Sequence, residues 1–201
     1  MRVVLVAVLT ACNYNAPSPS LVTDGGADGA IDTPHDSLVD TPRDAPAGPF
    51  WTNLVGATED GVTLTNTATT SGWNKSGAVS VETIDSGSGF VEFSSAENTL
   101  AKICGLSNGD TNQDFKDIDF AIYLNLDGTV QVFEKGTSRG VFGNYVPGDR
   151  MRVELVGGTI TYLKNGTPFF TSTGTPVLPL LGDAAMFHRQ ATITEPVIVK
   201  L

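Results

Sequence analysis

The side chains best suited to binding a ligand lie on β-type runs of the sequence. Asp119 and Tyr123 alternate with apolar residues in one run, and Arg152 and Glu154 do so in a second. Tyr162 belongs to the run that follows. Successive side chains of a strand point to opposite faces, so these five would share a polar face if their strands lie in one sheet. Carboxylates, arginine and aromatic rings suit sugar hydroxyls and apolar sugar faces. The pattern therefore predicts a glycan-binding face, and an ordinary solvated face is the alternative.

Two aromatic residues outside these runs, Trp73 and Tyr145, are further candidates for ligand contact. Each lies within two residues of a glycine, as is typical of a loop. The alternative is that both rings pack into the core, where aromatic side chains bury a large apolar area.

One acidic stretch has the spacing of a calcium loop. Asp110, Asn112 and Asp114 alternate along it, as in the first half of an EF-hand loop. Phe115 stands where that loop needs glycine and Ala121 where it needs glutamate, so an EF-hand site is excluded. A simpler calcium loop and a polar turn with local hydrogen bonds are the two remaining interpretations. No other cofactor is predicted.

The charge balance restricts the class of partner. The chain has 22 acidic and 12 basic residues and a formal net charge of −10. A nucleic-acid-binding surface must be cationic to neutralise phosphates, so nucleic acid is excluded as a partner. Two cysteines and two histidines also argue against a Cys/His zinc site of the usual spacing.

Short β-type runs separated by turn signals fill residues 50–201. Asp127-Gly128 and Asn165-Gly166 are typical two-residue hairpin turns. About ten to twelve strands without crossover helices predict an all-β, two-sheet antiparallel sandwich. The predicted runs are Gly77–Ile84, Gly89–Ser94, Lys102–Leu106, Ile118–Leu126, Thr129–Glu134, Arg150–Val156, Thr159–Lys164, Pro168–Ser172 and Ala191–Lys200.

The same region resembles a known class of sandwich. The series Gly148-Asp149-Arg150-Met151-Arg152-Val153, Gly157-Gly158-Thr159-Ile160-Thr161-Tyr162 and Lys164-Asn165-Gly166 is similar to the C-terminal half of concanavalin A-like and SPRY-like domains. Upstream, Gly72-Trp73-Asn74, Gly89-Phe90-Val91-Glu92-Phe93 and Gly143-Asn144-Tyr145 extend the likeness over nearly all of 50–201. The resemblance implies a jelly-roll of the concanavalin A-like type. Its function is left open, because this fold serves lectins, glycosidases and protein-recognition domains.

The carboxylates do not favour the glycosidase alternative. Glycanases of this fold group place two or three carboxylates on one strand face, one as nucleophile and one as acid. Asp117 and Asp119 share a face, but the next positions on it are Ala121 and Tyr123. The sequence therefore predicts a protein that is not an enzyme.

The N-terminus resembles a bacterial lipoprotein signal. A positive charge at Arg2 precedes a short apolar run, and Leu9-Thr10-Ala11-Cys12 has the form of a lipobox. The resemblance implies that residues 1–11 are a signal peptide and that Cys12 is acylated, which would attach the chain to a membrane. Asn13 is not the aspartate that marks inner-membrane retention, so an outer-membrane envelope location is expected.

Residues 12–49 are predicted to form a disordered linker. Proline and glycine recur through this Asp-rich segment and oppose a helix. Its aspartates stand at every fourth position, where a helix would bring like charges together. They are Asp24, Asp28, Asp32, Asp36, Asp40 and Asp44.

Together these patterns predict an acylated envelope lipoprotein that displays a non-catalytic, carbohydrate-binding β-sandwich. A protein-docking or structural module is one alternative, and a glycan hydrolase with unrecognised carboxylates is another. Cys104 has no partner once Cys12 is acylated, and we expect it to be buried as a small apolar residue.

Overall fold

The chain folds as a sandwich of two antiparallel sheets. The computed structural model describes residues 48–201, and it contains no helix there that could cross a bilayer. The predicted signal peptide 1–11, Cys12 and the linker up to residue 47 lie outside the described residues. Within them, the predicted all-β sandwich is confirmed.

Fourteen strands build the two sheets. They are β1 (Trp51–Val55), β2 (Ala57–Glu59), β3 (Thr63–Asn66), β4 (Gly77–Ile84), β5 (Gly89–Ser94), β6 (Lys102–Ser107), β7 (Phe120–Leu124), β8 (Thr129–Glu134), β9 (Thr137–Asn144), β10 (Met151–Val156), β11 (Thr159–Lys164), β12 (Thr167–Thr171), β13 (Leu180–Met186) and β14 (Thr192–Lys200).

Each sheet has seven strands. Sheet I has the order β1-β4-β13-β6-β7-β8-β9, and sheet II has the order β12-β11-β10-β5-β14-β3-β2. The hairpin between β11 and β12 has Asn165 at φ 51° and Gly166 at φ 75°, both in the left-handed region. Two positive φ values characterise the type I′ turn that an Asn-Gly pair favours, and the predicted hairpin is confirmed.

The core lies between the inner faces of the sheets. Val153 and Leu155 of β10 point into it. Arg152 and Glu154, which alternate with them along the strand, are partly exposed, as the sequence pattern predicts. On sheet I the corresponding inward residues of β7 include Ile122. The predicted period of two is thus the actual one on both strands.

Ile118 departs from its predicted face. The alternation pattern groups it with Phe120 and Ile122, but it packs with Ala121 on the opposite side of sheet I. The reason is that β7 begins only at Phe120, so the strand period does not extend back to Ile118.

Candidate functional site

The outer face of sheet I carries a buried apolar cluster. Ile103, Ala121 and Ala185 are buried on it and form a second hydrophobic cluster with Ile118. Two loops pack over this face: residues 67–76, which connect β3 to β4, and residues 108–119, which connect β6 to β7. We call them the 67–76 loop and the 108–119 loop.

The two loops are hydrogen-bonded to each other. The amide of Asn74 donates to the carbonyl of Gln113 at 3.1 Å, and the amide of Gln113 donates to Oδ1 of Asn74 at 3.1 Å. The side chain of Gln113 packs against Gly77 of β4. A Cβ added at Gly77 would lie only 3.0 Å from the Cγ of Gln113. The glycine therefore allows the 108–119 loop to approach the sheet closely.

Four half-buried aromatic rings lie at this junction. The Trp73 ring centroid is 4.9 Å from that of Phe115 and 5.8 Å from that of Tyr123. Phe133 of β8 stands nearly perpendicular to Tyr123 at 5.5 Å. The four rings line an open cavity of about 120 Å³. They combine one ring from each loop with two rings from neighbouring strands.

A larger polar cavity is lined by neighbouring residues of the same two loops. Its volume is about 310 Å³. Asn74 follows Trp73 in the chain, and Phe115 separates two of the other lining residues, so apolar and polar surfaces meet here. The lining consists of Asn74, Asn112, Asp114, Lys116 and Asp117.

Three aspartates converge beside this cavity. Asp110, Asp117 and Asp183 each offer a carboxylate oxygen, and these oxygens all lie within 4.8 Å of one another. Asp183 is on β13 and only 3% exposed, and its buried Oδ2 has no hydrogen-bond partner within the described part of the chain. Burial raises the pKa of Asp183 well above its ordinary value, and the charges of Asp110 and Asp117 raise it further.

Only one of the three residues predicted for a calcium loop belongs to this cluster. Asp110 belongs to the acidic cluster. Oδ1 of Asn112 instead accepts a hydrogen bond from the Asp114 amide at 2.8 Å, and Oδ1 of Asp114 accepts one from the Lys116 amide at 3.0 Å. These are the local turn contacts that the alternative interpretation expects.

The five residues predicted for a glycan face do not meet. Asp119 ends the 108–119 loop and Tyr123 lies on β7 of sheet I, whereas Arg152, Glu154 and Tyr162 belong to sheet II. The prediction required one common sheet, and that condition is wrong. Tyr162 is fully buried in the core, so it belongs to no polar surface at all.

Arg152 and Glu154 belong to a charged network on the outer face of sheet II. Nε of Arg152 donates to Oε2 of Glu92 at 2.8 Å, and its Nη1 lies 3.4 Å from Oε1 of Glu154. The guanidinium also lies 3.8 Å from the centre of the Phe90 ring. Since Arg150 binds the other oxygen of Glu92 at 3.0 Å, these charges already have protein partners.

The two carboxylates weighed for catalysis have separate partners. Asp117 accepts hydrogen bonds from the amide and the hydroxyl of Thr111, each at 2.6 Å. Asp119 accepts one from the Asn108 amide at 3.0 Å and lies 3.5 Å from Nζ of Lys135. Each carboxylate thus stabilises a turn at a different part of the loop.

Two of the other predictions concern buried residues. Cys104 is fully buried in the core, as predicted, and burial raises the pKa of its thiol. Tyr145 is 2% exposed and packs inward, whereas Trp73 is half-buried at the loop junction. Of the two loop aromatics, only Trp73 is available to a ligand.

The site residues that the sequence did not predict include Phe115, Phe133 and Asp183. Phe115 and Phe133 carry no signal that separates them from core aromatics. Asp183 does carry a recognisable signal, because it is the single acidic residue in the otherwise apolar strand Leu180–Met186. A lone carboxylate in such a run indicates either a buried network or a ligand.

Comparison with known proteins supports the fold. No family model matches the chain, and no curated protein does. The SPRY domain of human HERC1 superposes with a TM-score of 0.55 at 15% identity, covering 74% of this chain and 94% of that one. The carbohydrate recognition domain of Emp46p gives 0.51 at 13% identity, covering 74% and 86%. The PSpry domain of TRIM65 gives 0.52 at 11% identity, covering 75% and 88%. The chain thus has the SPRY and concanavalin A-like type of sandwich.

Proposed function

We propose that this chain is an envelope lipoprotein, anchored by acyl chains on Cys12, that displays a non-catalytic carbohydrate-binding sandwich. The ligand would bind at the junction of the 67–76 and 108–119 loops on sheet I. The observation that carries the proposal is the cavity of about 120 Å³ between four aromatic rings, next to a polar cavity of about 310 Å³.

The aromatic side of the junction suits the apolar face of a sugar ring. Binding sites for small molecules combine aromatic surface with a few polar groups that fix orientation. Trp73 and Phe115 come from loops and are half-buried, so part of each side chain is exposed to a ligand. Tyr123 and Phe133 form a rigid base for the aromatic cavity, because both belong to hydrogen-bonded strands of sheet I.

The polar side offers hydrogen-bond donors and acceptors at the same place. Lys116 provides an ammonium donor, Asn74 and Asn112 provide amides, and Asp114 accepts. A sugar with several hydroxyls can engage such a set while one ring face packs on the aromatics. An apolar peptide would leave these polar groups without partners.

The charge of the chain favours a neutral glycan. Its formal net charge is −10, and two of the five residues that line the polar cavity are aspartates. A polyanionic polysaccharide would meet long-range repulsion from this surface. The ligand class we propose is therefore an uncharged oligosaccharide.

The carboxylates near the junction support a binding role rather than hydrolysis. Hydrolysis needs two carboxyl groups that both reach the scissile bond. Asp183 is buried beneath the surface, and both oxygens of Asp117 accept hydrogen bonds from Thr111. The two aspartates that line the polar cavity, Asp114 and Asp117, both already accept hydrogen bonds from within the 108–119 loop.

Tryptophan fluorescence tests the proposal with the full chain and a panel of neutral oligosaccharides. The chain has two tryptophans: Trp51 is 2% exposed in the core, and Trp73 lies at the junction. We expect a saturable emission change that the Trp73→Phe variant loses while it keeps its thermal midpoint. Calorimetric titration of the same sugars gives the affinity.

A lysine pair provides the matched control. Lys116→Met should weaken binding about fivefold or more, because one hydrogen bond to a charged group is lost. Lys200→Met, which removes an exposed ion pair between β14 and β4, should bind like the wild type. Absence of binding across the panel would contradict the proposal and favour protein docking. Release of reducing ends would favour the hydrolase.

A further inference from the structure

We propose that Asp110, Asp117 and Asp183 form a binding site for one calcium ion. This site differs from the loop calcium that the sequence pattern suggested, because Asp117 and Asp183 replace Asn112 and Asp114 as ligands. Its test is separate from that of the glycan proposal because it uses no sugar, although Asp117 also lines the polar cavity.

Asp183 is the residue that distinguishes this cluster from ordinary surface acids. It lies on the outer face of β13, hydrogen-bonded between β4 and β6 in the middle of sheet I. Its side chain is covered, and its Oδ2 has no hydrogen-bond donor among residues 48–201. A buried carboxylate oxygen without a partner costs free energy unless a cation or a proton occupies it.

The cluster contains no neutralising side chain. None of the ion pairs formed among residues 48–201 includes any of these three aspartates. Three carboxylates at this separation repel one another strongly when they are ionised. A divalent cation between them would remove that repulsion and satisfy the open oxygen of Asp183.

The donor set and its dimensions fit calcium. All three donors are carboxylate oxygens, which hard cations such as Ca²⁺ prefer. The three oxygens all lie within 4.8 Å of one another, so one ion can contact all of them.

An entry path and further ligand positions are also available. Asp117 lines the open polar cavity of about 310 Å³, so an ion and its waters can reach the cluster from that side. Calcium takes six to eight oxygen ligands, and waters in the cavity would complete the three carboxylates. The ion would thus join the 108–119 loop, which carries Asp110 and Asp117, to β13.

The test is a thermal melt of the full chain with a chelator and with Ca²⁺ up to about 10 mM, followed by calorimetric titration. An ion present at about a hundred times its dissociation constant should raise the thermal midpoint by about 5–10 °C. We expect one saturable site. Absence of both a shift and heat of binding would overturn the proposal.

Two variants assign the site. Asp183→Asn removes the buried charge while keeping the shape, so its midpoint in chelator should equal or exceed that of the wild type while its Ca²⁺ response is lost. Asp85→Asn alters an exposed aspartate whose carboxylate lies 3.7 Å from Nζ of Lys200, outside the cluster, and should keep the full response. A full Ca²⁺ response in Asp183→Asn would contradict the assignment, and equal loss in Asp85→Asn would indicate nonspecific binding to surface acids.

Discussion

The hydroxyl of Tyr162 donates a hydrogen bond of 3.0 Å to Oε1 of Glu134 across the interior of the sandwich. Tyr162 belongs to sheet II and Glu134 to the end of β8 in sheet I, so the bond joins the two sheets. Oε2 of Glu134 accepts a bond of 2.8 Å from Nε of Arg139 on β9. Burial and the neighbouring Glu134 charge raise the pKa of Tyr162, which keeps the hydroxyl protonated as the donor.

Removing this donor should destabilise the fold. Tyr162→Phe leaves the buried Oε1 of Glu134 without its partner, and we expect a loss of about 1–3 kcal/mol in the free energy of unfolding. Urea denaturation measures it. In Glu134→Gln the tyrosine bond is no longer charge-assisted, so adding Tyr162→Phe to that variant should cost less than adding it to the wild type. Equal costs in the two backgrounds would show that the two side chains are not coupled.

A second buried contact involves Lys102 and Glu97. The side chain of Lys102 is fully buried, and its Nζ donates to the carbonyl of Glu97 at 2.8 Å and to its carboxylate. Glu97→Ala leaves a buried ammonium without its counterion, and we expect a loss of about 3–5 kcal/mol. Lys102→Met replaces the charge with apolar volume and should cost clearly less. Chemical denaturation compares them, and equal losses would contradict this account.

Calcium removal should weaken glycan binding if both proposals hold. The ion would fix the 108–119 loop, which supplies Phe115 and Lys116 to the proposed sugar site. Without it, part of the binding free energy is spent on ordering the loop, so we expect affinity to fall about two- to tenfold. Titrations in calcium and in chelator measure the change, and Asp183→Asn should show the weaker affinity in both. If the wild type binds the glycan with the same affinity in calcium and in chelator, the two sites are not energetically coupled.

Acylation should depend on Cys12 alone. In cells supplied with labelled palmitate, we expect the chain to carry label and to fractionate with membranes, since attached acyl chains supply the membrane affinity. Cys12→Ala should lose both properties. Cys104→Ala should keep them, because Cys104 is buried in the core and inaccessible to an acyltransferase. Label retained in Cys12→Ala would contradict the lipobox interpretation.

The strands that the sequence predicted best are those bounded by clear turn signals. Four of them, including Gly89–Ser94 and Thr159–Lys164, have the predicted bounds. Five strands were missed: β1 to β3, β9 and β13. β9 contains Gly140 and Gly143 and is mostly exposed, so it lacks the apolar alternation that marks a half-buried strand.

The candidate site was harder to predict, because alternation assigns a face but not a sheet. Asp119 and Arg152 have equivalent patterns in the sequence, yet Asp119 ends the loop before β7 of sheet I, whereas Arg152 lies on β10 of sheet II. Asp183 meets Asp110 through contacts between residues more than seventy positions apart. No local spacing contains that information.

The position of Asp183 on a central strand also determines how a bound ion would be detected in solution. Its backbone is part of a ladder paired on both sides, whereas Asp110 and Asp117 belong to a loop. Local opening is easiest where backbone groups lack such pairing. Amide hydrogen exchange should therefore slow in the 108–119 segment on calcium addition, while the β13 amides exchange at the same slow rate with or without the ion.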